Sequence, residues 1–412
     1  MINRYLGNKQ EILPWILNSI REKIGESGTV GDLCAGSLSV SLALKAAGYN
    51  VVLNDINSFS LRLGQALIEP NEIHDFSNLI ELIGREPEKT LEGRLNQILD
   101  YLEQTEENPP EHEEHYRECY APGGQRATGI NRNGNDFERR FFTVEVATRI
   151  DTVLGWIRHW HNRNMLSEQA TALLLSCTMR AVEMRANTQG TYHESDLKKW
   201  DERALKPFKF ERLDSELLQT IRKGGEHVIG DGRPSEEYAI DGPAMNLLYL
   251  DPPYNNRQYS DYYFMLNQIA DHHLIPNLTD FFNEIVYQRG QNMGTSKKSA
   301  LSSESTFLDT LGQIIKNTSC DWVMISYNNG RNHWGKYMAG TSDEGLNQIR
   351  EWIGTQDYLD SNSITIDEQP RTNYQSRGTK AIETLEYLIS VRKHQHSDSV
   401  WYPNQLYPLR SV

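Results

Sequence analysis

Cysteine is scarce in this sequence, and long apolar runs are absent. Only four cysteines occur among 412 residues, and neither a CxxC pair nor a Cys/His pair with metal-ligand spacing is present. We therefore expect reduced thiols and no zinc site. No segment approaches the roughly 18 apolar residues that cross a bilayer. Because the N-terminus also lacks the apolar core of a secretory signal, we expect a cytoplasmic protein with no membrane contact.

Basic residues are fewer than acidic ones. The chain has 42 basic and 56 acidic residues, so its net charge is −14. This argues against a protein that coats nucleic acid, but it permits one that holds a short stretch through a local basic face. The acids concentrate in 81–118, which we interpret as a solvated surface. The segment 125–163 that follows contains seven arginines.

The first part of the chain has the pattern of a βαβ unit. An apolar run at 29–34 predicts a buried strand, 39–47 predicts a helix that Gly48 ends, and 49–53 predicts a second strand. A strand, a turn, a helix and a second strand within so few residues imply a parallel sheet. The fold class is therefore α/β.

The strand signal then disappears and returns much later. Residues 66–222 have mostly helical patterns with a loop-rich middle, which predicts a helical insertion. Strand candidates recur at 227–231, 247–251, 322–326 and 386–391. We therefore expect one α/β domain formed by 1–65 and 223–412 and interrupted by 66–222.

A turn of small residues at 35–37 joins the first strand to its helix. Such a turn lets a ligand approach the backbone and the helix N-terminus. Asp55 ends the next strand, 23 residues after Asp32, and a carboxylate there suits ribose hydroxyls. These features fit a nicotinamide, a flavin or S-adenosylmethionine (SAM), unless 35–37 is only a loop and Asp55 only a helix cap. Asp32 favours SAM, because a carboxylate repels pyrophosphate but attracts the ammonium and sulfonium of SAM.

The stretch 248–254 is the most informative one in the chain. Two prolines directly after an apolar strand cannot continue the hydrogen-bond ladder. They stiffen a bend that presents Asp251, the Pro252 carbonyl and the Tyr254 ring at the carboxyl end of the strand. Ligands bind at that end in an open α/β sheet. The alternative is a rigid loop with a surface tyrosine.

These motifs occur in the order that one known family shows. The stretches concerned are 4–9, 32–37, 54–56, 185–192, 197–200, 230–232, 251–260 and 326–329. In them the sequence resembles the D12 class of DNA adenine-N6 methyltransferases, the α-group related to the Dam methylases. One position departs from the family pattern: Leu38 stands where a second glycine is usual, and it is expected to crowd the turn.

The resemblance implies a Rossmann-like, SAM-dependent methyltransferase sheet with an inserted, mostly helical target-recognition domain. The implied catalytic residues are Asp251, Pro252, Pro253 and Tyr254. The implied cofactor-binding residues are Tyr5, Lys9, Asp32, Ala35, Gly36, Ser37, Asp55, Ile56, Asp231 and Gly232. Acceptors at Asp251 and Pro252 would align the target amine, and Tyr254 would stack on a base flipped out of the duplex. No metal is expected.

Double-stranded DNA is the implied partner. The candidate DNA-binding residues are Arg126, Arg132, Asn187, Tyr192, Lys198, Tyr259, Asn328 and Asn329. Arginine and asparagine side chains in 123–135 are of the kind that read base edges, unless this segment is a loop without contacts. For Asn187 and Tyr192 the alternative is a core or cap role, and for Asn328 and Asn329 a turn role. The Ser-rich segment 294–305 predicts a mobile surface loop whose lysines reach phosphates.

The functional hypothesis is a site-specific DNA adenine-N6 methyltransferase. By analogy, it would be the modification component of a restriction-modification or phage-defence system, with a cognate restriction endonuclease or other defence subunits as partners. An RNA or protein N-methyltransferase is the first alternative, although such enzymes often have Asn where this chain has Asp251. The second alternative is a non-catalytic DNA-binding subunit that retains the fold, and Leu38 is its only support.

Overall fold

A computed structural model describes residues 2, 4–194, 197–330, 332–334, 341–373 and 382–394. The strands are β1 (Thr29–Asp32), β2 (Asn50–Leu53), β3 (Thr128–Ile130), β4 (Asp136–Glu138), β5 (Val228–Ile229), β6 (Met245–Leu250), β7 (Cys320–Asn328), β8 (Leu359–Asn373) and β9 (Ile382–Lys393). The end of the expected 223–412 segment, beyond residue 394, lies outside the described residues.

Helices surround these strands. They are α1 (Leu13–Ile24), α2 (Ser39–Ala46), α3 (Ser58–Leu67), α4 (Ser77–Leu82), α5 (Leu91–Gln104), α6 (His115–Tyr120), α7 (Val144–Asn162), α8 (Glu168–Arg185), α9 (Ser215–Ile221), α10 (Ser235–Tyr238), α11 (Tyr259–Tyr262), α12 (Phe264–Asp271), α13 (Leu278–Asn283), α14 (Glu304–Asn317) and α15 (Glu344–Gly354). Side-chain caps start several of them: Thr143 accepts from the Val146 amide and Ser167 from the Ala170 amide. Across the described residues, we find no helix with both the length and the apolar character of a membrane span.

Seven strands form the central sheet, in the order β5-β2-β1-β6-β7-β9-β8. The first five are parallel, and β9 lies antiparallel between β7 and β8. This confirms the predicted α/β class. The chain runs from β1 outward to β5 on one side and from β6 outward on the other. The direction therefore reverses between β1 and β6, and a crevice at the carboxyl ends of these strands is the expected ligand site.

The outermost strand, β8, was not among the strand candidates. Its sequence, LDSNSITIDEQPRTN, contains no continuous apolar run. A strand at the edge of a sheet has a partner on one side only and needs little apolar surface, so the pattern used to find buried strands does not detect it.

The segment 66–222 contains α4 to α9 and a two-stranded hairpin, β3–β4. The mostly helical expectation agrees with this, but the hairpin corrects the expected loop at its centre. Asn131 forms the hairpin turn, because its side chain accepts from the amides of Asn133 and Asn135 at 2.9 and 3.0 Å. Helix α8 is buried over most of its length and packs against α3 and α12. One apolar cluster therefore continues from the sheet into the segment.

Only part of the Ser-rich segment 294–305 is the surface loop that its composition predicts. Lys297 and Lys298 are exposed, but Met293–Thr295 and Ala300–Ser302 form 3₁₀ turns, and Leu301 and Ser302 are buried. The Ser302 hydroxyl donates to the Arg257 carbonyl at 3.0 Å. Short hydroxyl side chains satisfy backbone groups locally, so a serine-rich stretch can pack closely. This segment forms part of the wall of the cleft described below.

Candidate active site

A cleft opens at the carboxyl ends of β1 and β6, with about 880 Å³ of empty space that includes open solvent. Most residues singled out for cofactor and catalysis line it, together with Tyr259, a candidate for DNA binding. These lining residues are Tyr5, Lys9, Asp32, Ala35, Gly36, Ser37, Asp55, Ile56, Asp251, Pro252, Pro253 and Tyr254. The fold thus brings together segments from both ends of the chain.

Gly36 allows the N-terminal segment to close over the small-residue turn. Its φ is +49°, and a Cβ atom there would lie 2.8 Å from the Tyr5 ring. The Tyr5 ring in turn stacks on Tyr263, with centroids 4.6 Å apart. A larger residue than glycine at position 36 would displace Tyr5 and open this wall of the cleft.

Leu38 adopts the left-handed conformation that the family's usual glycine would favour. Its φ is 65° and ψ is 15°, directly before α2. The side chain is fully buried in the apolar core, whereas Ser37, Ser39 and Val40 beside it line the cleft. The expected crowding is therefore on the core side of the turn. Leu38 gives no support to a non-catalytic subunit, because it does not occupy the ligand space.

Asp55 joins the end of β2 to the turn. One carboxylate oxygen accepts from the Gly36 amide, and the other accepts from the Asn57 amide and side chain, all at 2.8 Å. Burial raises the pKa of Asp55, and the hydrogen bonds from Asn57 and Gly36 offset part of this rise. The carboxylate is held rigidly at the cleft wall. Oδ1 already accepts two hydrogen bonds, so Oδ2, which accepts one, is the oxygen with capacity for a further donor.

Asp32 lines the cleft with a buried carboxylate whose two oxygens are unequally paired. Its Oδ2 accepts from the Ser41 hydroxyl at 2.7 Å, while the buried Oδ1 has no hydrogen-bond partner within the described part of the chain. Burial raises the pKa of Asp32 to about 7, and the charges of Asp251 and Asp55 add to the rise. A cationic ligand group would satisfy this oxygen and restore the charged form, so the residues fit the ammonium of SAM.

Asp251 shares a buried cation with a second acid. The Lys9 ammonium lies 2.9 Å from Asp251 Oδ1 and 2.8 Å from Glu386 Oε1. Burial is the main cause that raises the pKa of Asp251 to about 6; Lys9 opposes the rise and Glu386 adds to it. The pKa of Lys9 is well above its usual value, because the two carboxylates outweigh its burial.

Glu386 has no motif signal, and sequence reasoning does not single it out. It is fully buried at the cleft end of β9, opposite Asn328 in β7. The Ser326 hydroxyl donates to it at 2.6 Å and the Asn328 amide at 3.0 Å, and Arg371 lies 3.5 Å away. The one available sign in the sequence is that this carboxylate opens the mostly apolar strand candidate 386–391. A glutamate is seldom fully buried unless it is paired, so its place in a buried strand implies a partner.

Two cofactor candidates lie outside the residues that line the cleft. Asp231 pairs with Arg233 at 2.8 Å, and the Gly232 carbonyl accepts from Lys297 at 3.3 Å. Pro234 and Ser235, just beyond them, form that side of the cleft instead. A cofactor contact of Asp231 and Gly232 therefore stays a prediction.

Four DNA candidates are engaged within the protein. Asn328 is buried; its amide donates to Thr384 and Glu386, and its oxygen accepts from the Gly330 amide. Asn329 is also buried and accepts from the Leu385 amide at 2.7 Å. Most of these contacts join the end of β7 to β9, so neither residue has only the turn role that was the alternative.

Asn187 and Tyr192 are buried as well. Asn187 accepts from the Asp201 amide at 2.9 Å, and the Tyr192 ring packs against Phe141 and Phe264. Both side chains have core contacts, but the Asn187 amide nitrogen and the Tyr192 hydroxyl have no hydrogen-bond partner among the described residues, so a DNA contact of these two residues stays a prediction. Lys198, in contrast, is exposed.

The two arginine candidates differ in their surroundings. Arg126 is half-buried and donates to Asn283 at 2.7 Å, so it fixes the base of the hairpin. Arg132 is exposed in the hairpin turn, and its guanidinium lies 5.7 Å from the centre of the Tyr287 ring. Of the two, Arg132 has the accessibility that a contact to DNA requires.

Family comparison assigns the class of protein. The family model "D12 class N6 adenine-specific DNA methyltransferase" matches residues 5–316. The chain belongs to this family, as its sheet and cleft motifs also indicate.

Individual relatives are methylases of several bacteria. The chain is 30% identical over 397 residues to the Type II methyltransferase M.FokI of Planomicrobium okeanokoites. The aligned region covers 95% of this chain and 52% of that relative. The chain is 26% identical to the modification methylase StsI of Streptococcus sanguinis over 96% of this chain and 52% of the relative. It is 25% identical to the Type II methyltransferase M.NlaIII of Neisseria lactamica over 94% of this chain and 99% of the relative. The chain thus spans about half the length of the first two.

Proposed function

We propose that this chain transfers a methyl group from SAM to the N6 amine of an adenine at a specific site in double-stranded DNA. One observation carries the proposal: Asp32 and Asp251 stand at the ends of adjacent strands β1 and β6 and open into one cleft. The first has an unpaired oxygen for a cationic ligand. The second lies beside Pro252 and Tyr254, where a base would enter.

The cofactor half of the cleft consists of Asp32, Asp55 and the turn under Tyr5. Asp32 would hold the ammonium of SAM, and Asp55 would accept from the ribose hydroxyls. SAM, when bound, supplies an electrophilic methyl group on its sulfonium. The remaining catalysis is performed by residues that orient the acceptor, and no metal has a role in this proposal.

The acceptor half of the cleft contains Asp251 and the Pro252 carbonyl. The exocyclic amine of adenine is a poor nucleophile, because its lone pair is delocalised into the ring. Two acceptors that bind its hydrogens would turn the lone pair toward the methyl group. Lys9 holds Oδ1 of Asp251 at 2.9 Å, so Oδ2 is the oxygen that we assign to the amine.

Tyr254 is placed to hold the extruded base. Its half-buried ring lines the cleft and meets the Tyr327 ring edge-on, with centroids 6.0 Å apart. A base must leave the duplex to reach Asp251, and stacking on an aromatic face stabilises such a base by about 1–3 kcal/mol.

A basic path connects the hairpin to the cleft and supports the assignment of 66–222 to target recognition. Arg132 and Arg289 both lie 5.7 Å from the centre of the Tyr287 ring. Burial lowers the pKa of His193, and nearby Arg289 and Arg257 add to this against the opposing charges of Glu194 and Asp261. Gln258, next to Arg257, lines the cleft. Arginines along such a path would contact phosphates and base edges.

The biological setting is proposed from the relatives. Their names describe Type II methyltransferases and modification methylases, which supports a modification role in a restriction-modification or phage-defence system. The partners would then be double-stranded DNA and a cognate restriction endonuclease or other defence subunits. Such a protein works in the cytoplasm, where the DNA is.

Transfer of labelled methyl from SAM to duplex DNA, followed by nucleoside analysis, tests the proposal. The product should be N6-methyladenine. Asp251→Ala should retain SAM binding by calorimetry yet lower the transfer rate by about 100-fold or more, because it removes an acceptor aligned on the amine. Asp309→Ala is the control, since Asp309 is an exposed carboxylate on α14. Methylcytosine as the product, or a normal rate in Asp251→Ala, would contradict the proposal.

A further inference from the structure

A cluster of two histidines and a glutamate lies outside the cleft and has no role in the function proposed above. Their ligand atoms all lie within 4.8 Å of one another. His161 is in the last turn of α7, Glu168 is the first residue of α8, and His273 lies in the 3₁₀ turn after α12. We propose that these three residues bind a divalent transition metal of the Zn²⁺ type.

The hydrogen bonds around His161 leave one of its nitrogens available to a metal. The Thr171 hydroxyl donates to the Ser167 carbonyl at 2.9 Å, so its oxygen accepts the Nδ1 hydrogen of His161 at 3.2 Å. The Nε2 lone pair then points toward Glu168 Oε1, which is 3.7 Å away. A partner that fixes the other ring nitrogen in this way is typical of metal-binding histidines.

His273 supplies an independent sign of a ligand. It is 5% exposed, and neither of its ring nitrogens has a hydrogen-bond partner among the residues described. Buried polar groups are almost always paired. The ring meets His161 edge-on, with centroids 4.7 Å apart. A metal between the two imidazoles would satisfy the buried nitrogen.

The charges near the cluster are mixed. Arg62 approaches Glu168 Oε2 at 3.6 Å, which leaves Oε1 to face His161. Asp271 offsets part of the charge of Arg62, whereas Arg158 is a second positive charge near His273. Two imidazoles and one carboxylate are ligands that suit Zn²⁺ and its neighbours.

Binding would require a small closure of the cluster. Bonds of the usual length place tetrahedral zinc ligands about 3.3 Å apart. Glu168 is 70% exposed and His161 is half-buried, so both side chains have room to move. The bound ion would connect the α7–α8 corner to the turn after α12. Because His273 is distant in sequence from His161 and Glu168, no spacing motif indicates this site.

Calorimetry and thermal unfolding of the full-length chain without an affinity tag, with Zn²⁺ as the probe, test the site. We expect one Zn²⁺ per chain and a rise of at least about 2 °C in the unfolding midpoint. Glu168→Gln and His161→Gln should each weaken Zn²⁺ binding by about tenfold or more. Both positions are accessible enough for these variants to fold, whereas a change at buried His273 could unfold the turn.

Matched controls are available on the same elements. Glu145→Gln changes the first turn of α7 as Glu168→Gln changes that of α8, and His159→Gln changes the helix that carries His161. Both controls should bind Zn²⁺ as the wild type does. The proposal is wrong if the wild-type chain binds no Zn²⁺, or if Glu168→Gln and His161→Gln bind it as tightly as the controls. The cluster would then be an ion-pair network of Arg62, Glu168 and His161 only.

Discussion

At the scale of single residues, Lys9 is the group that joins the two ends of the chain. It comes from the N-terminal segment and contacts Asp251 after β6 and Glu386 in β9. A buried ammonium between two carboxylates compensates the cost of removing each charge from water, and its loss would leave both acids unpaired. Arg371 secures the same segment, because its guanidinium donates to the Asn8 carbonyl. The N-terminal wall of the cleft is therefore held by charge as well as by packing.

The shared cation predicts how methyl transfer depends on pH. Burial raises the pKa of Asp251 to about 6, and only the carboxylate form accepts a hydrogen bond from the amine. The transfer rate should therefore rise as pH increases through about 6 and level off above it. In Glu386→Gln a negative neighbour is removed and Lys9 pairs with Asp251 alone. The midpoint of the rate profile should then move to lower pH.

Single-turnover rates across this pH range measure the effect. Glu383→Gln is the matched control, because Glu383 is an exposed acid on the same strand, and its profile should equal that of the wild type. Equal midpoints in Glu386→Gln and the wild type would show that Glu386 does not act on Asp251.

At the scale of elements, two opposing effects act on Leu38 at the start of α2: backbone strain and burial of the side chain. The backbone at Leu38 has a positive φ of 65°, which costs a residue with a side chain about 1–2 kcal/mol. The Leu38 side chain is fully buried, and deletion of such a side chain costs about 2–5 kcal/mol. Burial is the larger effect, so a leucine is retained at a position where glycine would be relaxed.

Two substitutions at Leu38 separate these effects. Leu38→Ala removes the packing and keeps the backbone strain, so it should lower the free energy of unfolding by about 2–5 kcal/mol. Leu38→Gly removes the same packing but relieves the strain, so its destabilisation should be smaller by about 1 kcal/mol. Urea unfolding measures both values. SAM affinity at a temperature where both variants are folded should match the wild type, because Leu38 does not line the cleft. Equal stability of the two variants would contradict the strain.

At the scale of the whole molecule, the net charge is −14, but the basic path between the hairpin and the cleft is locally rich in arginine. Arg132 and Arg289 flank Tyr287 between the hairpin and the cleft. Attraction to phosphates depends on the local field, and salt screens the more distant acidic surface. A protein with a negative net charge can therefore still bind its proposed substrate, DNA, through these arginines.

The basic path predicts the salt dependence of DNA binding. Arg132→Ala and Arg289→Ala should each weaken binding to duplex DNA, and the slope of log affinity against log salt should fall by about 1 for each phosphate that is no longer neutralised. SAM affinity should be unchanged. Arg350→Ala is the control, because Arg350 is exposed on α15. Titrations at several salt concentrations decide the outcome, and a slope identical to that of the wild type in both path variants would rule out phosphate binding there.

The sequence by itself determined the sheet and the motifs at its edge. Apolar runs mark β1, β2, β6, β7 and β9, because a strand buried on both faces needs such a run. Since parallel strands meet at one edge, the residues that follow β1, β2 and β6 had to lie together. Asp32, Asp55 and Asp251 therefore could be assigned to one cleft before the structure was known.

Only the tertiary structure decided which polar groups are paired. Glu386 and Lys9 meet across almost the whole chain, Asn328 and Asn329 turn out to be occupied by neighbouring strands, and His161 and His273 become neighbours through helix packing. Local pattern reports whether a residue prefers a strand or a helix. It does not report which distant side chain faces it, because that depends on how the elements pack, and the same packing determines whether a charge or an amide is left for a ligand.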